Sequence, residues 1–344
     1  MRRFVLRLIT AIQLTRLSLA FGAVSDLWFV ILLSRALGPE SAAATGFAAN
    51  GAAAPLAPPS TELPVHTLPL AVALGAGAIV AIGLFAFGAS LNDLLDARHD
   101  TAFSPERPIP AGRIRAGQAV IVTVGALLAA LVGAITFGDG GLLLAALAAA
   151  GILFYNAAGK HVPAVGLITI GLVHAAHMAI PNDRLAFTLP IWLVVSHAIA
   201  VAIGVYILEG KRPSLSPRSM VAVAIGYLFW STIILGAGVA RAGVHGLWPA
   251  EVPIIGLVWP LLAVVSFAVV ARRKTEGVTG RVGAEKLRRY GAMWQCLYGA
   301  AWLLALDLRE QATWMGLLAL VGFATMTMIK EANGLTGRPL EFRG

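Results

Sequence analysis

Four polar residues closing an apolar run have the types and spacing for chemistry: Asn92, Asp93, Asp96 and Asp100. On a helix that continues through them, Asn92, Asp96 and Asp100 stand at i, i+4 and i+8 and share a face, with Asp93 three residues from Asp96. Like charges at that spacing destabilise a helix unless a cation joins them. Oxygen ligands on successive turns suit Mg²⁺, a hard ion that keeps several waters and is held by one or two carboxylates together with substrate phosphates. A solvated helix end is the plainer reading. Against it, three carboxylates within eight residues are a large share of the 17 in the chain.

A proline-stiffened loop follows directly, running from Arg107-Pro108-Ile109-Pro110 to Gly112-Arg113-Ile114, and it holds Arg107 and Arg113 near the acidic turn. Guanidinium groups match phosphate oxygens bidentately. Acids that hold a metal, beside arginines that neutralise the remaining charge, make a physically sensible diphosphate site.

These residues must be positioned by elements that live in lipid. The 344 residues are 58% hydrophobic and only 12% charged, with a mean hydropathy of +0.81, whereas soluble domains carry about 25% charged residues. A water-soluble surface is excluded. Apolar runs of about 20 residues occur near 17–37, 67–91, 116–137, 141–158, 163–181, 188–208, 219–240, 251–271, 290–307 and 312–330. The run at 290–307 is short unless the basic turn at 286–289 belongs to the same helix. The expected fold is therefore all-α, a polytopic transmembrane bundle of nine to ten spans forming one domain over 1–344. No short cleavable apolar leader precedes the first run, so the N-terminus reads as mature sequence.

Alternating ten spans from a cytoplasmic N-terminus leaves Arg35, Arg184, Arg241 and Arg309 outside and every other one of the 26 Lys and Arg inside. That asymmetry follows the positive-inside rule and points to a multi-pass protein of the plasma (inner) membrane. The formal charge of +9 then reads as orientation and as attraction to lipid headgroups, not as a nucleic-acid footprint. The single cysteine, Cys296, excludes an intramolecular disulfide and a cysteine-built metal site. The external stretch 38–66, rich in Ala, Gly and Pro, reads as a flexible loop, either a lid or an unconstrained insertion.

With these residues in view, the sequence resembles the UbiA superfamily of intramembrane prenyltransferases. Its first signature, N-D-x-x-D-x-x-x-D, is matched by Asn92, Asp93, Asp96 and Asp100, and the R-P motif that follows it by Arg107 to Ile114. Thr15-Arg16-Leu17 with Asp26, and the stretch from Phe154 and Tyr155 to Lys160 and His161, extend the match in the family's order over about two thirds of the chain. The resemblance implies a helical bundle, usually of nine spans, around a cavity that opens to lipid. It implies Mg²⁺-dependent transfer of an isoprenyl group from its diphosphate to a hydrophobic acceptor. Asn92 and Asp96 would hold the metal, with Asp93 and Asp100 orienting it or its waters. Arg107, Arg113 and Lys160 would hold the diphosphate, and Tyr155 and Asp26 would line the substrate cavity. Lys160 also fits a positive-inside anchor, and Tyr155 an interfacial aromatic.

The pattern departs from the family at its second acidic motif. Where a D-x-x-x-D is expected, the chain has Glu209-Gly210-Lys211-Arg212. Glu209 is the one carboxylate left as a ligand there, and cations beside it work against a second metal. Either Lys211 and Arg212 replace that metal as fixed positive charge, or catalysis is lost and the chain is a UbiA-like accessory of the EboC type, binding or exporting a lipid or pigment precursor. Asn92, Asp96, Glu209 and Lys211 are expected to converge on one cavity mouth, with Arg107 or Lys160 in reach. Deeper in the bundle, Asp26 is a functional candidate as an intramembrane ionisable group. His174, His177 and His197 suit interhelical hydrogen bonds better than a three-histidine metal site, and several of the eight Trp read as an aromatic belt.

Overall fold

Backbone in hydrocarbon must satisfy its own hydrogen bonds, and a continuous helix does so within one segment. A computed structural model describes residues 14–16, 19–38, 62–105, 107–211, 213–250 and 252–335, with side chains to 328. Its described residues contain no strand. Apart from a single α-helical turn at Pro64–Thr67, at the end of the 38–66 stretch, and short 3-10 turns, the helices are α1 (Phe21–Leu37), α2 (Leu70–Leu95), the short α3 (Ala97–Phe103), α4 (Ala116–Ile135), α5 (Gly138–Ala157), α6 (Pro163–Ala179), α7 (Leu189–Glu209), α8 (Pro217–Ala242), α9 (Val258–Thr275), α10 (Gly280–Ala305) and α11 (Arg309–Leu335). Each apolar run of the sequence has its helix. Seven of these helices are long and apolar enough to cross a membrane by length and composition alone, so the chain is an integral membrane protein with at least that many candidate spans. Most of the 38–66 loop lies outside the described residues.

α10 resolves the shortest run. It begins at Gly280, so the basic turn at 286–289 is part of the helix. Its mean hydropathy is low because it is polar on one side and buried on the other, and its buried residues include Trp294, Gln295, Cys296 and Tyr298.

Packing follows a closed order. α1 packs on α2, α2 on α5, α5 on α6, α6 on α7, α7 on α10, and α10 returns to α1. Outside this ring, α4 lies on α2 and α5, α8 on α6 and α7, and α9 and α11 on α10. The outermost faces carry exposed apolar side chains, such as Ile121, Leu128 and Val132 on α4 and Leu261 and Leu262 on α9, as a lipid-facing surface requires. α1 shares its two faces between two cores. Leu27 and Ile31 join Val80, Leu84 and Ala130, while Phe29 and Leu33 join Met178, Phe187 and Trp302.

Small residues let α2 and α4 approach closely. A Cβ added at Gly83 would lie 2.8 Å from both the Ala126 carbonyl oxygen and the Ala130 Cβ, and 2.9 Å from the Ala130 nitrogen. Because two of these atoms are backbone, the helices themselves would have to part. Gly83→Val is expected to destabilise the bundle by about 1–3 kcal/mol, the usual range for overpacking. Thermal unfolding in detergent reads this directly, and an unchanged midpoint would refute the close-contact account.

Two helix ends set up the polar residues. α2 stops at Leu95, but Asp96 keeps right-handed helical dihedrals, and the amides of Asp96 and Asp100 still donate to the carbonyls of Asn92 and Asp96 at 2.9 and 2.8 Å. The helical register therefore carries through to α3. At the end of α7, Gly210 adopts φ 59°, ψ 39°, a left-handed conformation that costs other residues about 1–2 kcal/mol. That turn lets the chain leave the helix with Glu209 and Lys211 on the same side.

Candidate functional site

The ring encloses a cavity of about 760 Å³. Asn92 and Asp96 from the end of α2, Lys160 from the turn before α6, and Glu209 and Lys211 from the end of α7 all line it. Arg16, Asp100, Arg107, Tyr155, Arg281 and Arg288 line it as well. Asn92, Asp96, Glu209 and Lys211 thus line one cavity together with Arg107 and Lys160.

Asn92 and the three acids divide into two pairs. Lys160 Nζ donates to Asp96 Oδ1 at 2.5 Å and to Asn92 Oδ1 at 3.5 Å. Arg107 donates to Asp100 Oδ2 at 2.5 Å and stands 3.6 Å from Asp93 Oδ1, while Arg16 donates to that same Asp93 oxygen at 2.9 Å. Residues 93 and 100, two turns apart, thus share one guanidinium. Both are only 3% exposed. Burial pushes Asp100 above the ordinary carboxylate range, and Arg107 opposes that shift.

Shared-face spacing had grouped Asp100 with Asn92 and Asp96, whereas the arginine in the loop draws it to Asp93. Asp93 sits behind the cavity wall, not on it. Arg113 is exposed on the following turn and does not line the cavity. Arg212 lies outside the described residues.

Two oxygens of Asn92 and Asp96 that converge on one ammonium suit a single hard cation whose other positions are filled by water and phosphate oxygens. No group of three or more His, Cys, Asp or Glu side chains is placed to hold a metal among the described residues. Glu209, expected to serve as a ligand beside Asn92 and Asp96, is engaged elsewhere. Its Oε1 accepts from Arg288 at 2.5 Å and its Oε2 lies 3.2 Å from Lys211 Nζ. Burial holds the Lys211 ammonium below the usual lysine range. Glu209 opposes that shift, and Arg288 and Lys160 add to it.

Arg288, Arg281 and Gln295 line the cavity without having been singled out in the sequence. Arg281 and Arg288 belong to a basic run whose charge is explained by topology alone. The pairing with Glu209 spans 79 residues, and no local pattern encodes it.

Deeper along the ring, Asp26, His174, His177 and His197 line the same cavity. His197 is fully used as a brace: its Nε2 donates to the Gly291 carbonyl at 3.0 Å and its Nδ1 accepts from the Tyr298 hydroxyl at 3.1 Å. His174 Nδ1 donates to the Ile170 carbonyl at 2.9 Å. The interhelical hydrogen bonds expected of the three histidines are made by His197, whereas His174 bonds within α6 and the buried Nε2 of His177 has no hydrogen-bond partner among the described residues.

A solved structure of digeranylgeranylglyceryl phosphate synthase superposes on this bundle with a TM-score of 0.53, covering 89% of this chain and 100% of that one at 16% identity. At that identity the likeness is one of fold: this helical bundle is similar to that of the membrane synthase. No family model matches the sequence, and no curated protein matches it. The likeness therefore rests on the backbone. In this bundle the acid-bearing end of α2, the Lys160 turn and the end of α7 meet at one end of the ring. Arg35, Asn182 and Arg241 gather at the other, through hydrogen bonds to Leu68, Ser34 and Leu185.

Proposed function

We propose that the protein transfers an isoprenyl group from its diphosphate to a hydrophobic acceptor, with Mg²⁺, at the cytoplasmic face of the plasma membrane. The observation that carries this reading is the meeting of Asn92, Asp96 and Lys160 with Arg107 at the mouth of a cavity whose walls are otherwise largely apolar. A bound Mg²⁺ would supply positive charge to the departing diphosphate. The chain's own residues do the rest. Asn92 and Asp96 hold the ion, and Lys160 and Arg107 pair with phosphate oxygens. Asp93 and Asp100 keep Arg16 and Arg107 pointed at the mouth.

As the C–O bond to diphosphate lengthens, negative charge grows on the bridging oxygen, where pre-positioned cations in a water-poor site are most effective. Ala81, Leu84, Ile152 and Leu167 along the cavity suit the isoprenyl chain and keep water from the allylic cation. Asp26 and Tyr155 line the space left for the acceptor.

Purified protein in lipid nanodiscs, given geranylgeranyl diphosphate, Mg²⁺ and a panel of phenolic and alcohol acceptors, is expected to release diphosphate. Absence of release with every acceptor, alongside tight binding of a lipid, would instead favour the accessory role. The proposed orientation has its own test. Cys296 is buried, so a cysteine placed by Arg113→Cys gives a single reporter. A membrane-impermeant maleimide should label it only from the cytoplasmic side, and labelling from outside would reverse the topology.

A further inference from the structure

The wall opposite Asp96 carries a second cluster whose members come from the ends of two helices. Glu209 closes α7, and both of its oxygens are taken, one by Arg288 of α10 and one by Lys211 beyond the Gly210 turn. Arg281, one further turn-pair up α10, lines the same mouth and donates to the Phe103 carbonyl at the end of α3. Among the cavity-lining residues of this wall, three cations stand against one carboxylate, and two of them are paired with it. Across the cavity Asp96 is matched by Lys160, and Lys160 is among the cations that disfavour the charge on Lys211.

Cations crowded around a partly dry space repel one another, and a polyanion seated between the walls relieves that repulsion. A carboxylate whose two oxygens already face a guanidinium and an ammonium sits in a positive surround that repels a second divalent cation, so this wall presents mainly nitrogen donors. Arg offers a rigid fork that matches phosphate oxygens, and Lys a compact point charge.

We infer that Arg288, Arg281 and Lys211 form the second half of a diphosphate clamp, anchored by Glu209, so that the protein binds diphosphate with one divalent cation and not two. This inference rests on the isoprenyl-transfer reading and specifies its charge arrangement. Glu209 is then a positioning residue. Its carboxylate fixes Arg288 and Lys211 and does not ligate metal. The diphosphate is held between an oxygen-and-metal wall on α2 and a nitrogen wall on α7 and α10, and charge developing on the leaving group is met from both sides.

The test is a binding measurement on the full chain in nanodiscs, using the thio-linked analogue of geranylgeranyl diphosphate, which is not turned over, and Mn²⁺ counted by electron paramagnetic resonance. The wild type should bind one Mn²⁺ per analogue. Arg288→Gln should weaken analogue binding at least 10-fold while still binding one Mn²⁺. Arg281→Gln, which leaves the Glu209 pair intact, should weaken it about 3- to 10-fold and so guards against a folding defect in the first variant. Glu209→Gln should retain the single Mn²⁺.

Two Mn²⁺ per analogue in the wild type, loss of bound metal in Glu209→Gln, or wild-type affinity in both arginine variants would each overturn the inference. A failure of the transfer reading is seen separately, as an analogue that binds with one metal while geranylgeranyl diphosphate itself is never cleaved.

Discussion

Asp96→Ala is expected to reduce diphosphate release by about 10²–10³-fold, the scale on which enzymes lose rate when one pre-positioned electrostatic group is removed. Asp96 is the carboxylate in the acidic turn that stays partly open, with a side chain 28% exposed against 4% for Asp93 and Asp100. It is also the one held by Lys160 and not by an arginine. Its loss would remove the anionic ligand proposed for the metal and leave Lys160 with the Asn92 oxygen alone. Arg107 and the cations of α7 and α10 remain, so the diphosphate should still bind, and the defect should fall mainly on turnover. Stopped-assay release from radiolabelled geranylgeranyl diphosphate, compared with equilibrium binding of the same compound, separates the two effects. A variant that turns over at the wild-type rate would remove Asp96 from the chemistry.

The largest stability effect is expected at Arg107. Its side chain is 10% exposed and lies between two carboxylates whose side chains are 4% exposed. Arg107→Met keeps much of the volume but leaves Asp100 without its guanidinium and Asp93 with Arg16 only. Breaking a buried pair by removing one partner costs about 3–5 kcal/mol. The pH dependence follows from Asp100, which burial already pushes upward while Arg107 opposes the shift. Without Arg107 the folded-state value rises further above the unfolded one. A carboxyl raised in this way contributes stability below the unfolded value and loses it as pH rises through the folded value. The destabilisation should therefore be greater at pH 8 than at pH 5. Thermal melts of the variant and wild type at both pH values measure this, and a pH-independent difference would remove Asp100 as its source.

Much of this was legible in residue order. The ten apolar runs became ten long helices because lipid leaves the backbone little alternative, and the N-D-x-x-D-x-x-x-D spacing survived a helix break at Asp96 because that residue keeps helical dihedrals. The division of the acids was not legible. Periodicity places Asp100 with Asn92 and Asp96, but the energy of burying a carboxylate is settled by whichever cation the following loop delivers, and that cation is Arg107. Arg288 was hidden for a related reason. Its charge served equally well as a topological signal, and only the ring closure that sets α10 against α7 brings it to Glu209 across 79 residues. Asp26 stood out because an ionisable group in an apolar run has few reasons to be there, while Gln295, neutral and flanked by aromatics, gave no comparable signal.

The return of α10 to α1 also orders events in biogenesis. α1 leaves the ribosome well before the helix that completes the ring with it, which spans Gly280–Ala305. α10 contains Arg281, Arg288, Arg289 and Gln295, so its own partition into lipid is weak, and its insertion depends on partners already waiting in the membrane. Until it arrives, the interior sides of α1 and α7, with Asp26 and Glu209, face an open flank. A nascent chain of this protein therefore has to be shielded along that flank until α10 is made, and insertion of the last ring helix and creation of the site are a single step.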